Sequence, residues 1–440
     1  MKSRAILFAL FSVFYGFSGY AQELYDLNRC ISAGLENNFS ILIAKNREQI
    51  ARNNYAPGNA GLLPTLDISS RYGGTVNNTR QELTSGIVTS VSGVHNVTAN
   101  AGVNLDWTIF RGFTALTTYK KLNELKMVGE LNTQMAVENL VADIASEFYF
   151  YIQQIQLYKN LEHAVSLSRE RVRIDRERYL LGAASKLDLL QSMVYLNSDS
   201  SRHSKQREVL RTSQVRLNKL MAMENLGQDI IPADSIIEIN PGLQYDSLLA
   251  MTDASNTSLL IARKTQKISS YDYKIIAGRT YPYLSLGTGY SYAFNQFENS
   301  DLRRQQTDGL NYGVTLGFTV FDGFNQHRQK TNARIEMDNQ EYAYKQVDQQ
   351  VKGDLITIFY AYQNNLLLLS LEKQNLATAQ ENLQIALERY KLGSLSGLEL
   401  REVQQSLLEA EERLISVQYQ TKIAEISLQQ ISGRVMEYVN

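Results

Sequence analysis

The chain has 440 residues, 44% of them hydrophobic, and a net charge of −1. That is enough apolar material for real burial, and the charge gives no reason to expect nucleic acid or a strongly charged substrate. A single cysteine excludes an intramolecular disulfide framework and a cysteine-based zinc site, and His95, His163, His203 and His327 are scattered without metal-ligand spacing.

Lys2 and Arg4 precede an apolar run from Ala5 to Phe17, closed by Ser18-Gly19-Tyr20-Ala21. This order predicts a cleaved signal peptide over 1–21, with Gln22 opening the mature chain. The run is short for a spanning helix. Cys30 follows Arg29, not the small residue that a lipidation site needs, so it reads as a buried helix residue. No other long apolar run occurs, so any membrane-spanning part must be β.

Tyr25 to Asn53 reads as one amphipathic helix, with Ile31, Leu35, Ile41, Ile43 and Ile50 among its apolar positions. After Pro64, Leu66, Ile68, Ser70 and Tyr72 alternate with Asp67, Ser69 and Arg71, the two-residue period of a strand. A Gly/Ser/Thr/Asn-rich loop is expected from Gly73 to about His95, then a strand from Val97 to Phe110. Val103, Leu105, Trp107 and Ile109 share one face of it, and Asn104, Asp106 and Thr108 the other.

Gly112 breaks that strand, and Thr114 to Leu181 then reads as helix. Val137, Val141, Ile144, Phe148, Tyr151, Ile155 and Tyr158 recur at steps of four and three, the rhythm of coiled-coil packing. A helix of that length is on the order of 100 Å long, so such helices must build a tube or a rod. Gly182 suits the left-handed residue that ends a helix, and Ser185 with Asp188 forms a capping box for a return helix to about Leu226.

The series then repeats. Asn38-Phe39-Ser40-Ile41 returns as Asn256-Thr257-Ser258-Leu259, and Pro64 as Pro282, an offset of 218. Gly102 to Phe113 returns as Gly313 to Phe324, an offset of 211, so a difference of seven is expected in a hairpin loop. Leu284, Leu286, Tyr290, Tyr292 and Phe294 mark a third strand. The polar loop Asn295–Gly309 leads to a fourth, through Leu310, Tyr312, Val314, Leu316, Phe318 and Val320. Val351, Leu355, Ile358 and Tyr362 keep the helical rhythm. Gly393 and the Ser396–Glu399 box repeat the turn, and the last helix runs to about Ile431. The organisation expected is therefore repeat 1 over 22–226, a linker over 227–242 and repeat 2 over 243–440.

The fold class follows: an internally duplicated α+β membrane protein with long coiled-coil-like helices and four alternating strands. Four strands cannot close a barrel, and an open edge in lipid leaves backbone groups unpaired. Further copies must complete it, and physics alone allows two, three or more.

On these features the chain resembles the TolC-type outer-membrane efflux protein family over essentially all of its mature length. The resemblance rests jointly on the duplication, the Leu63-Pro64-Thr65-Leu66 and Tyr281-Pro282-Tyr283-Leu284 strand openings, the Phe110–Phe113 and Phe321–Phe324 exits, and the glycine-tipped hairpins. It implies a homotrimer with a shared twelve-stranded barrel in outer-membrane lipid, continued by an α-helical barrel. Its partners would be a periplasmic adaptor and an inner-membrane pump, and it would act as a passive duct for small molecules. The resemblance also implies adaptor docking at Leu181, Gly182, Ala183, Leu392, Gly393 and Ser394. A periplasmic constriction is implied at Asp188, Tyr390, Glu399 and Glu402, with a Tyr390–Asp188 hydrogen bond between hairpins and Leu395 where other members carry a basic residue. Leu105, Trp107, Ile109, Leu316, Phe318 and Val320 are the expected lipid-facing positions. An exit duct for protein secretion is the alternative within this reading. A secreted coiled-coil protein would leave the strand hairpins without purpose. No phosphate loop, metal spacing or nucleophile with a base points to an enzyme or a cofactor.

Overall fold

The computed structural model of the protein describes residues 24–298 and 302–439, so the expected signal peptide lies outside the described residues. Strand β1 (Leu24–Tyr25) leads to α1 (Leu27–Asn37), capped by the Asp26 carboxylate, which accepts from the Arg29 backbone N–H at 2.7 Å. Helix α2 (Phe39–Asn54) follows. The single helix expected over this region is therefore broken, at Asn38, which is extended (φ −67°, ψ 124°). The side chain of Asn38 explains the break: its oxygen accepts from the Ser40 N–H at 2.8 Å, competing with the helical ladder. Cys30 is fully buried in α1, and burial pushes its thiol up to about 12.

Strands β2 (Thr65–Glu82) and β3 (Val88–Arg111) precede α3 (Thr114–Leu180) and its return helix α4 (Lys186–Leu220). A short strand β4 (Ile231–Pro232) pairs in parallel with β1. The second series is α5 (Tyr245–Ser255), α6 (Thr257–Gly278), β5 (Tyr283–Gln296), β6 (Arg304–Gly317), α7 (Asn325–Lys391) and α8 (Gly397–Ile431). Helices α3 and α7 both have 67 residues, and α4 and α8 both have 35, so the duplication is retained to the residue in the hairpins. Asn256 breaks α5 from α6 as Asn38 breaks α1 from α2. Each asparagine also donates its amide to the last residue of a return helix, Asn38 to the Leu220 carbonyl at 2.8 Å and Asn256 to the Ile431 carbonyl at 2.9 Å.

The four long strands form one antiparallel sheet in the order β2-β3-β5-β6. Pairing of β2 with β3 runs from Thr65↔Asp106 to Glu82↔Val88, so the first expected loop shrinks to residues 83–87. In the second hairpin the ladder likewise runs further than expected, from Tyr283↔Gly317 to Gln296↔Arg304. Small and polar residues read as loop, but a ladder is held by backbone groups and accepts them on a solvated face. The seven-residue difference also lies in the strands: β2 and β3 have 18 and 24 residues, β5 and β6 have 14 each.

The described residues form two compact units. One holds the residues up to Lys45 with Thr133–Leu259 and those from Asp348 onward. Its core gathers Ile31, Ile41, Val141, Ile144, Phe148, Tyr151, Leu217 and Met221. Ile230 and Ile237 join that core, so the stretch expected as a linker is part of the packed body. The other unit holds Asn46–Asn132 and Leu260–Val347 and contains the sheet. There Glu124 of α3 is gripped by Lys264 and Lys267 of α6, at 2.9 and 2.6 Å.

Candidate functional site: the hairpin tips and the two faces of the sheet

Both helical hairpins turn on a left-handed glycine, Gly182 (φ +71°) and Gly393 (φ +77°). The turns close alike: the Ala183 N–H donates to the Arg178 carbonyl at 2.7 Å, and the Ser394 N–H to the Arg389 carbonyl at 3.0 Å. Leu181 and Leu392 are left almost fully exposed at the tips. Ser185 with Asp188, and Ser396 with Glu399, form complete capping boxes. The serine hydroxyl and backbone N–H of each box hold the Asp188 and Glu399 carboxyls below their usual range. Glu402 is exposed, one turn beyond Glu399 on α8.

A cavity of about 520 Å³ lies between the two turns, lined by Arg171, Asp175, Tyr195, Tyr390 and Gly397 among others. The Tyr390 hydroxyl donates to Asp175, not to Asp188, which corrects the hydrogen bond expected from the resemblance. Asp188 is committed to its cap, while Asp175 reaches the Tyr390 ring from the last turns of α3. Burial, then the hydrogen bond to Asp175, raise the Tyr390 phenol to about 12. Arg171 is buried beside them, 3.7 Å from the Asp175 carboxylate. The guanidiniums of Arg171 and Arg401 lie 5.2 and 5.0 Å from the Tyr195 ring centre. Arg401 of α8 forks onto the buried Asp199 of α4 at 2.7 and 2.9 Å, and Ser168 of α3 donates to the same carboxylate.

Sequence reasoning missed Arg171, Asp175, Tyr195, Asp199 and Arg401. The signal was present in the duplication: at offset 211, Arg171, Asp175 and Asp199 stand opposite Asn382, Ala386 and Ala410. Charge appears in one copy where the other is small or neutral.

In the sheet, register sorts residues onto two faces. Rows such as Leu66–Leu105–Thr288–Tyr312 and Ile68–Val103–Tyr290–Leu310 form the apolar face. Rows such as Asp67–Asn104–Gly289–Asn311 form the polar one. Gly289 is required there, because a Cβ would come within 2.5 Å of the Asn104 side chain. Leu105, Trp107 and Leu316 share the apolar face. Ile109 does not pair: an irregularity between Thr108 and Phe110 sets Phe110, not Ile109, opposite Leu284. Phe318 and Val320 lie beyond the end of β6 at Gly317. Among the described residues no helix is long and apolar enough to cross a membrane, and no group of three or more His, Cys, Asp or Glu could hold a metal ion.

A sequence profile of the family described as "Outer membrane efflux protein" matches residues 30–223 and 248–434, one segment in each repeat. The chain belongs to this family. As an outer membrane efflux protein it is a channel and not an enzyme, placed in the bacterial outer membrane and reaching into the periplasm. It is 18% identical over 343 residues to the outer membrane efflux protein BepC of Brucella suis, covering 78% of this chain and 73% of that one. Among solved structures, VceC of Vibrio cholerae superposes with a TM-score of 0.76 at 17% identity, covering 92% of this chain and 96% of that one. CmeC of Campylobacter jejuni also gives 0.76 at 17% identity, with 93% and 85% covered. MtrE of Neisseria gonorrhoeae, in a structure described as its open state, gives 0.70 at 17% identity, with 92% and 88% covered.

Proposed function

We propose that this efflux protein is the exit duct of a tripartite system, passing small molecules delivered by an inner-membrane pump through a periplasmic adaptor. The sheet carries this reading. It has an apolar face and two unpaired edges, β2 and β6, and lipid tolerates neither edge. Three copies would close a twelve-stranded barrel, with Leu105, Trp107 and Leu316 turned to the lipid. The exposed tips at Leu181, Gly182, Ala183 and Leu392, Gly393, Ser394 are the surfaces for the adaptor's own helices.

The mouth of the duct is placed at the start of α8. Glu399 and Glu402 are three residues apart and share a helix face, so a three-fold axis would gather six carboxylates into one ring. Asp188 and Gln191 stand at the matching positions of repeat 1 and make that half less acidic. In planar bilayers the protein should conduct, and trivalent cations on the periplasmic side should block it. Glu399→Gln with Glu402→Gln should abolish the block and keep the conductance. Absence of any conductance contradicts the duct, and undiminished block in the double variant puts the constriction elsewhere.

A further inference from the structure

Arg171 is 5% exposed, and its Nε and Nη1 nitrogens are buried without a hydrogen-bond partner. A buried guanidinium in that condition costs free energy until an acceptor is supplied. The carboxylate beside it, that of Asp175, is 3.7 Å from Nε, beyond hydrogen-bond reach, and already accepts from the Tyr390 hydroxyl. The guanidinium is also pressed against the start of α8: a Cβ on Gly397 would stand 2.9 Å from its Nη2 nitrogen. That end of a helix carries partial positive charge and backbone N–H groups that find no partner inside the helix. Glu399 and Leu400 donate theirs to Ser396, while Gly397 and Leu398 line the same cavity of about 520 Å³ as Arg171.

Arg178 lines that cavity too, its guanidinium 5.4 Å from the Tyr390 ring centre. Two cations and a helix start are therefore gathered around one space. Asp175 and Asp188 also line it, but Asp175 serves Tyr390 and Asp188 caps α4, while Glu399 caps α8. The missing component is an acceptor that carries negative charge.

We propose that this cavity binds a free oxyanion of the phosphate or sulfate type, held between the Arg171 guanidinium and the first backbone N–H groups of α8. Arg171 supplies a planar set of donors, and the Tyr195 ring, centred 5.2 Å away, holds that plane in place. Glycine at 397 permits the approach of guanidinium to helix start. The site is built once. At offset 211, Arg171 and Gly397 correspond to Asn382 and Lys186, so the reciprocal position lacks both the guanidinium and the open helix start. Arg171 belongs to the first hairpin and Gly397 to the second, so a bound oxyanion ties the two together. The site is complete within one chain and stands whatever the number of copies.

Calorimetric titration of inorganic phosphate into the detergent-solubilised protein tests this, against potassium chloride at matched ionic strength. Phosphate should bind at a single site per chain and raise the melting temperature, and chloride should do neither. Arg171→Gln should weaken phosphate binding about ten-fold or more, as expected for the loss of one charge-assisted hydrogen bond. Gly397→Ala keeps the fold, because alanine suits a helix and its methyl need displace only the far end of the flexible Arg171 side chain. It too should weaken binding, by about ten-fold on the same reasoning. Phosphate and chloride acting alike would overturn the site, and so would phosphate binding that persists undiminished in either folded variant.

Discussion

The two helical hairpins have the same lengths, the same glycine turns and the same capping boxes, and they differ in what they bury. Tyr390 of the second repeat is 3% exposed against Asp175, while its counterpart Tyr179 is 40% exposed. Asp199 of the first repeat is buried under Arg401, while its counterpart Ala410 needs no partner. Duplication thus produced two hairpins of one shape that hold each other through unlike chemistry: the first supplies carboxylates, the second a phenol and a guanidinium. The shared features make a hairpin, and the unshared ones decide which hairpin packs on which.

The largest test of that division is Asp199→Ala. It strips the fork from Arg401 and the acceptor from Ser168, and removing one partner of a buried pair costs about 3–5 kcal/mol. The detergent-solubilised protein should melt well below the parent. A melting point unchanged by this substitution would mean that position 199 matters no more than Ala410 does in its own repeat. A smaller contrast is Tyr390→Phe against Tyr179→Phe. The first leaves a buried carboxylate short of its donor and should cost about 1–3 kcal/mol. The second changes an exposed side chain and should stay within about 0.5 kcal/mol. Equal effects would show that the buried bond from Tyr390 to Asp175 adds nothing that the exposed Tyr179 lacks.

Much of this molecule was legible in the sequence where one local rule governed one segment. The heptad of Val141, Ile144, Phe148 and Tyr151 lies in the core, and both capping boxes and both glycine turns formed as their spacing demanded. The errors fall where local rules compete. Asn38 sits in a helical pattern but spends its side chain on backbone groups, so an apparently continuous helix is two. Residues 73–82 look like loop because their composition is small and polar, yet β3 pairs with all of them except Asn78, where the ladder is irregular. Phe318 and Val320 alternate as a strand should, but no partner within the chain reaches them. Asp175, Arg171 and Asp199 escaped because charge on a helix usually marks a solvated face. Only their contrast with Ala386, Asn382 and Ala410 marks them as different.

The duct itself requires that the sheet be completed by other copies, and the most direct test is the native mass of the protein extracted intact from membranes in mild detergent. The mass should correspond to three chains, in a particle that keeps its β-sheet content. A stable, monodisperse single chain with that sheet content intact would contradict the trimeric duct.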